Sequence, residues 1–468
     1  MPAPKRAVYL FHRDLRIVDS TGLIALAKRG LTIIPVFILA PEQIDEKRNK
    51  YFSDAAVQVM ADALVDLDAS LRALKSCLRL FHGDVVEVLQ TLHGRTEFHE
   101  LHSGDDVTPY SKARDNRIEQ WCRGAGVAFH IHQDVDLLGM SDGLLQDGRP
   151  YTVFSAFYKR VLRDCQVRKV DTRALKPSEL LPGNTRVRDS LPVQSIRQMY
   201  EHNPGLAITG GRRAALRRMK VLDEMRDYES HRDFPALHNG TSMMSAHIKF
   251  GAVSIREVYW RLVKRWGVKH SLVRELWFRS FYYHITNLFP HTLQGRPLRL
   301  KYERIPWRDD PASLERWSEG TTGIPLCDAG ARCLRQTGYV HNRVRMVMAS
   351  VLCKNLLISW VVGERLLARQ LADYDPTSNN HGWQFIAGSG PDARWDRTMN
   401  PMTQAAKYDP DAEYIKRWLP ELRDVPAADI HRWDERHTRH GDTGYPAPIV
   451  DLKKSRTRAM QVYAKALQ

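Results

Sequence analysis

A chain of 468 residues with 43% apolar composition is long enough for two or three domains and a sizeable core, which excludes a disordered or fibrous protein. Its 70 Lys and Arg against 54 Asp and Glu leave a formal net charge of +16, which argues for a polyanionic partner, although a solvated basic surface reads the same on charge alone. The early apolar run Leu31 to Ala40 is about half a membrane span and follows no basic leader, so an intracellular protein is expected.

In chain order, "AVYLF", Thr21 to Arg29, "TIIPVFIL", the amphipathic stretch Ser53 to Leu74, "LRLFHG" and "VAFHIH" alternate strand and helix patterns. Such alternation predicts βαβ units and an open, mostly parallel, Rossmann-like sheet over residues 1–132. Residues 133–225 are rich in Gly, Pro and Arg and read as a connector that is only partly regular. From residue 226 to 468 the 3.6-residue period dominates, for instance Ile255 to Trp266, Val273 to Leu288 and His341 to Leu367, and predicts an all-α domain. The six cysteines (Cys77, Cys122, Cys165, Cys327, Cys333 and Cys353) are scattered, with no CxxC and no His at metal-ligand spacing. They read as small buried hydrophobes, and no metal site is expected. There is no GxxxxGK[ST], GxGxxG after a strand, HExxH or GxSxG, which removes P-loop enzymes, dinucleotide dehydrogenases, zincins and serine hydrolases.

Four segments could carry chemistry. In "RELWFRSFYYHI", Glu275, Phe278, Arg279 and Tyr282 share one helix face, either as a working surface or as an amphipathic helix with a Glu275 to Arg279 ion pair. In "TGYVHNRVRMVMASVL", Asn342, Arg345, Met346 and Ala349 share a face, and an inward asparagine needs partners or costs on the order of 1 to 3 kcal/mol. In "GTSMMSAHIKFG", Thr241, Ser242 and Ser245 stand at a helix start, where hydroxyls and free N–H groups suit a pyrophosphate or simply cap the helix. "DYDPTSNNHGWQF", Asp373 to Phe385, crowds fixed hydrogen-bonding groups into a turn that runs back into a core. Trp307, Trp360 and Trp383 are core volume unless a redox centre lies behind them.

Together with "FHRDLRIVD" and "YTVFSAFYKR", and above all the run from "EGTTGIPLCDAGARCLRQTGYVHNRVRM" to "NPMTQAAKYDPDAEYIKRWLPEL", these segments resemble the DNA photolyase/cryptochrome family over nearly the whole chain. The resemblance implies FAD held in the helical domain by Tyr228, Thr241, Ser242, Met243, Met244, Ser245, Glu275, Arg279, Tyr282, Asn342, Arg345, Asp373, Asp375 and Asn379. It further implies light-driven splitting of cyclobutane pyrimidine dimers in DNA, with the flavin reduced and anionic in the active state. Glu275, Asn342, Met346, Phe278 and Phe385 would face a flipped-out dimer, Glu275 through a proton that burial retains. Trp383, Trp360 and Trp307 would relay electrons from the surface, and Arg232, Arg343, Arg397, Gln404 and Lys407 would contact DNA. Phe278 and Phe385 depart from the tryptophans usual in bacterial relatives, although Trp277 stands one residue earlier; Met243 stands for an arginine and His381 for a glycine. Asn379 and the short C-terminal end favour repair over a light-sensing cryptochrome, and the single histidine in "VHNRVRM" disfavours a (6-4) photolyase. "SGDDVTPYSKARD" resembles the family's antenna segment, consistent with a second chromophore that could be folate, deazaflavin or flavin. The expected partner is UV-damaged DNA, bound by a monomer in the cytoplasm and nucleoid, or in the nucleus of a eukaryote.

Overall fold

The alternation in the first 132 residues does produce a parallel sheet. The computed structural model describes residues 5–145 and 147–468; Met1 to Pro4, at the head of the first domain, and Gln146, in the connector, lie outside the described residues. Strands β1 (Arg6–Leu10), β2 (Thr32–Leu39), β3 (Arg79–His82), β4 (Glu100–Gly104) and β5 (Ala128–His132) pair in the order β3-β2-β1-β4-β5. Helices α1 (Thr21–Ala27), α2 (Asp54–Ala73), α3 (Val85–Thr96) and α4 (Pro109–Ala125) connect them. Side chains alternate across the sheet. Ala7, Tyr9, Ile33, Phe37 and Leu39 pack with α1 and α2, while Val8, Leu10, Ile34, Val36 and Ile38 pack with α3 and α4, so the central strands are buried on both faces.

Strand β4 is absent from the apolar reading above, because "ELHSG" is polar at alternate positions. Its pairing with β1 reverses the strand order, and the loops after β1 and β4 therefore open a crevice at their carboxyl ends.

The connector segment is tied down at several places. Leu181 and Leu191 donate backbone hydrogen bonds to Ile33 and Leu80, at 2.8 and 2.7 Å. Helix α5 (Phe154–Asp164) buries Phe154, Phe157 and Val161 in the helical half, and α6 (Arg212–Val221) follows it.

The second half is helical throughout: α7 (Ser245–Lys249), α8 (Ile255–Trp266), α9 (Ser271–Leu288), α10 (Pro325–Thr337), α11 (Asn342–Ser350), α12 (Trp360–Ala368), α13 (Pro376–Ala387), α14 (Pro401–Tyr408) and α15 (Leu452–Leu467) are its principal elements. The expected single helix from His341 to Leu367 is broken. A π-helical turn covers Val351–Leu356, and Leu357 adopts φ +57°, which no continuing α-helix accommodates. Of the cysteines, Cys77 and Cys165 are only partly covered, contrary to the expectation that all six are buried. Among the described residues no helix is long and apolar enough to cross a membrane.

Buried charge joins the two halves. Arg16, in the "HRDLR" segment, and Arg256 of α8 both pair with Asp134, and Arg256 Nε also reaches Asp19 at 2.9 Å. These four side chains are almost wholly buried. Burial would raise the Asp134 carboxyl, but the two guanidiniums override it and hold it at about 2.

Candidate functional site

The polar stretch at 373–385 becomes a helix start, not a turn. Asp375 caps α13, its Oδ1 accepting from Thr377 N at 3.1 Å, Ser378 N at 3.4 Å and Thr377 Oγ1 at 2.6 Å, and Pro376 takes the first helical position. The other oxygen, Oδ2, faces three donors: Arg13 from the loop after β1, Tyr283 Oη at 3.2 Å and Arg279 Nη2 at 3.7 Å. Burial raises this carboxyl, yet Arg13 and Arg279 hold it well below the usual carboxylate range.

Asp373 is held separately. Arg345 Nη2 lies 3.0 Å from both carboxylate oxygens, Ser245 Oγ donates to Oδ2 at 2.7 Å, and Arg345 Nε is fixed by Val340 O at 2.7 Å. Two carboxylates with separate guanidinium partners thus stand two residues apart.

The α9 face differs from its expected pairing. Arg279 turns to Val135 O (2.6 Å), Tyr283 and Asp375, while Glu275 pairs with Arg232 from the segment after α6. One turn of helix therefore serves two sites, Arg279 joining the Asp375 side and Glu275 the Arg232 side. Glu275, paired with Arg232, is about one third exposed (32%), less covered than the burial expected. Tyr228 carries Arg232 over its ring at 5.4 Å, and Tyr282 stacks on His381 at 5.3 Å. His381 is fully buried, bonded to Thr286 Oγ1 at 2.9 Å, and burial pushes it down to about 3, so it is a neutral packing element.

At 241–245 the hydroxyls do not cap α7, whose N-cap is Met244 without a side-chain hydrogen bond. Met243 instead adopts φ +51°, a conformation costing a non-glycine residue on the order of 1 to 2 kcal/mol, and Met244 follows in the right-handed region. Consecutive residues of opposite hand turn their N–H groups into one concavity suited to an anion. Arg218 fixes this turn through the carbonyls of Ser242 (2.8 Å) and Thr241 (2.6 Å), and Thr241 Oγ1 lies 3.3 Å from Tyr339 Oη. A cleft of about 780 Å³ opens beside it, lined by Thr241, Met243, Tyr339, Arg217 and Arg417.

Three participants were not foreseen. Arg13 belongs to a sequence-distant loop. Lys249 lies beside it, lowered to about 7 by burial and then by Arg13. Glu364, on α12, accepts from Asn379 Nδ2 at 2.9 Å and Tyr374 Oη at 3.4 Å, and burial raises it to about 7. A lone acid among the apolar residues of "WVVGERLLA" was the available signal.

At the α11 end the expected inward asparagine is exposed. Asn342 starts the helix, its Nδ2 3.8 Å from Met346 Sδ, so it bears no burial penalty. Phe278 stacks on Phe154 (centroids 3.4 Å apart) and Phe385 lies under Arg397 at 5.4 Å. Trp277 does not substitute for Phe278. It is fully buried against Tyr259, pointing away from the Phe278 face. Arg343 bonds Asp233 at 2.6 Å and shares the Tyr408 ring with Lys407, at 4.5 and 4.9 Å, on α14, which also carries Gln404. Trp360 and Trp383 belong to one buried cluster against which Trp307 packs; their close ring partners are Trp317 to Trp383 (6.1 Å) and Tyr463 to Trp307 (5.9 Å).

Residues 272–465 match the family described as the FAD binding domain of DNA photolyase, and residues 7–178 match the family described as DNA photolyase. A curated relative, the deoxyribodipyrimidine photo-lyase of Halobacterium salinarum, is 34% identical over 98% of this chain and 99% of its own length. The crystal structure of an archaeal photolyase from Sulfolobus tokodaii with two FAD molecules, described as implying a novel light-harvesting cofactor, superposes with a TM-score of 0.87 at 34% identity, covering 98% of this chain and 100% of that one. A cryptochrome from Synechocystis sp. PCC6803 gives a TM-score of 0.90 at 26% identity, with 99% and 100% coverage.

Proposed function

Because the chain belongs to the DNA photolyase family, we infer that it is a deoxyribodipyrimidine photo-lyase, repairing cyclobutane pyrimidine dimers in DNA with light and FAD. The observation that carries this reading is the pair Asp373 and Asp375, each neutralised by its own guanidinium, beside the anion-seeking turn at Met243. The residues present fit a flavin dinucleotide. Cation-bound carboxylates suit ring-edge N–H and ribityl hydroxyl groups, the turn suits a pyrophosphate, and Arg345 and Arg279 offset the charge of a reduced ring. When bound, reduced and excited, FAD supplies an electron to the dimer and recovers it after ring opening.

The chain's own residues then do the following. Arg345 and Ser245 fix Asp373 in place as a hydrogen-bond acceptor. Glu364 accepts from Asn379 Nδ2 and so fixes the orientation of that amide, which would leave its oxygen free for the flavin. Asn342 and Met346, at the open end of α11, meet the lesion, with Phe278 and Phe385 as apolar walls that offer less area than tryptophan and no N–H. Glu275 exchanges Arg232 for the dimer, and Arg232 is released toward the DNA backbone together with Arg343, Arg397, Gln404 and Lys407. Trp383, Trp360 and Trp307 serve reduction of the resting cofactor. In this reading the protein works as a monomer inside the cell, and a second chromophore of folate, deazaflavin or flavin type sits in the α/β half.

The test is anaerobic illumination of the reduced protein with dimer-containing DNA, native against Glu275→Ala. A loss of repair in the variant with flavin content unchanged is expected; undiminished repair removes Glu275 from the mechanism. Photoreduction without repair in the native protein would favour the cryptochrome reading.

A further inference from the structure

On β4 and the edge strand β5 of the α/β sheet, Glu100, His102, His130 and His132 point to the same face. The register pairs His102 with His130 and Gly104 with His132, and the two-residue period puts Glu100 on that face too. Glu100 Oε2 lies 3.0 Å from His102 Nε2 and 3.9 Å from His130 Nε2, and one ligand atom from each of these three residues falls within 4.8 Å of the others. Tetrahedral ligands at the usual zinc distances stand about 3.3 Å apart, so small side-chain rotations close the site.

We propose that Glu100, His102 and His130 bind one divalent transition-metal ion of the zinc type, fastening the edge strand β5 to β4. Three further features support it. His130 Nε2 is buried with no hydrogen-bond partner, an unmet cost that a metal bond removes. His102 Nδ1 lies 2.8 Å from His132 Nε2, the outer hydrogen bond by which metal-bound imidazoles are usually oriented. Arg29 holds the opposite oxygen, Glu100 Oε1, at 2.7 Å, which leaves Oε2 aimed between the imidazoles. Among the described residues Arg29 is also the one cation paired with Glu100, and being half exposed (51%) it can swing into solvent when a dication enters.

In the free site His102 Nε2–H donates to Glu100 and His132 Nε2–H donates to His102 Nδ1. Metal on His102 Nε2 moves that proton to Nδ1, which now donates to His132 Nε2, whose own proton moves to its Nδ1. Helix α1 keeps His132 in place: a Cβ on Gly22 would come within 2.9 Å of its ring. The donor set, two imidazoles and one carboxylate, matches zinc chemistry and leaves a fourth position for water. This inference is independent of the repair reading, since none of its residues contacts the flavin-side cluster.

The test equilibrates the flavin-loaded full chain with Zn(II), removes excess metal, counts zinc by plasma emission and records the zinc K-edge spectrum. One zinc per chain with a nitrogen and oxygen shell at about 2.0–2.1 Å is expected. His130→Gln, at a partly exposed position, and Glu100→Gln should each lose it with circular dichroism unchanged. His132→Ala should weaken chelator-competed binding about 10- to 100-fold. A native chain that retains no zinc, or a His130→Gln chain that retains it undiminished, overturns the proposal and leaves the cluster a hydrogen-bonded relay only.

Discussion

Glu364→Gln should stabilise the protein above neutral pH and flatten its pH dependence. Burial raises the Glu364 carboxyl from an ordinary 4.5 to about 7, whereas the unfolded chain ionises it at the ordinary value. The folded state therefore binds the extra proton between those two values. Stability from this group is full below 4.5, is lost as pH rises through about 7, and stays lost above. The gap corresponds to about 3 kcal/mol. Glu364 is only 1% exposed, so solvent screening takes little from this figure. Gln keeps an oxygen for Asn379 Nδ2 and Tyr374 Oη but cannot ionise. Urea unfolding of both proteins at pH 5 and pH 8.5 isolates the effect, because every other titrating group is common to them. The difference in unfolding free energy, variant minus native, should grow by about 3 kcal/mol between those pH values. Parallel curves would show that Glu364 is solvated or permanently ion-paired, and that its hold on Asn379 is not that of a neutral buried acid.

Arg345→Met strips Asp373 of its guanidinium partner and should cost about 3 kcal/mol, the low end for a broken buried pair because Arg345 is 23% exposed; thermal melts and flavin retained on gel filtration check it. Arg343→Ala and Lys407→Ala should each lower the slope of log binding constant against log salt by about 1 without changing preference for damaged DNA, measured by fluorescence anisotropy. Trp360→Phe should abolish light-driven reduction of oxidised flavin, followed by absorbance, while chemically reduced variant still repairs.

The sheet and the helical half were legible because their periods differ, two against 3.6, and α8 fell within its predicted bounds. Polar β4 was not, since its side chains face an edge histidine cluster in place of a core. The break after Ser350 was invisible because π and α turns present the same apolar residues and only Leu357 changes hand. The family pattern placed Asp373, Asp375 and Arg345 together, as the geometry does. It could not foresee that Glu275 pairs with Arg232 while Arg279 turns to Val135 O and Asp375, or that Arg13 reaches across 362 residues. Those are tertiary choices among equivalent charges, and spacing along one helix carries no record of them.

The most direct measurement is dark binding of the reduced, flavin-loaded protein to an oligonucleotide with one cyclobutane thymine dimer, followed by blue light and chromatography of the bases. Intact thymines should return only after illumination. Dimer that survives the light, or disappears in the dark, contradicts the account.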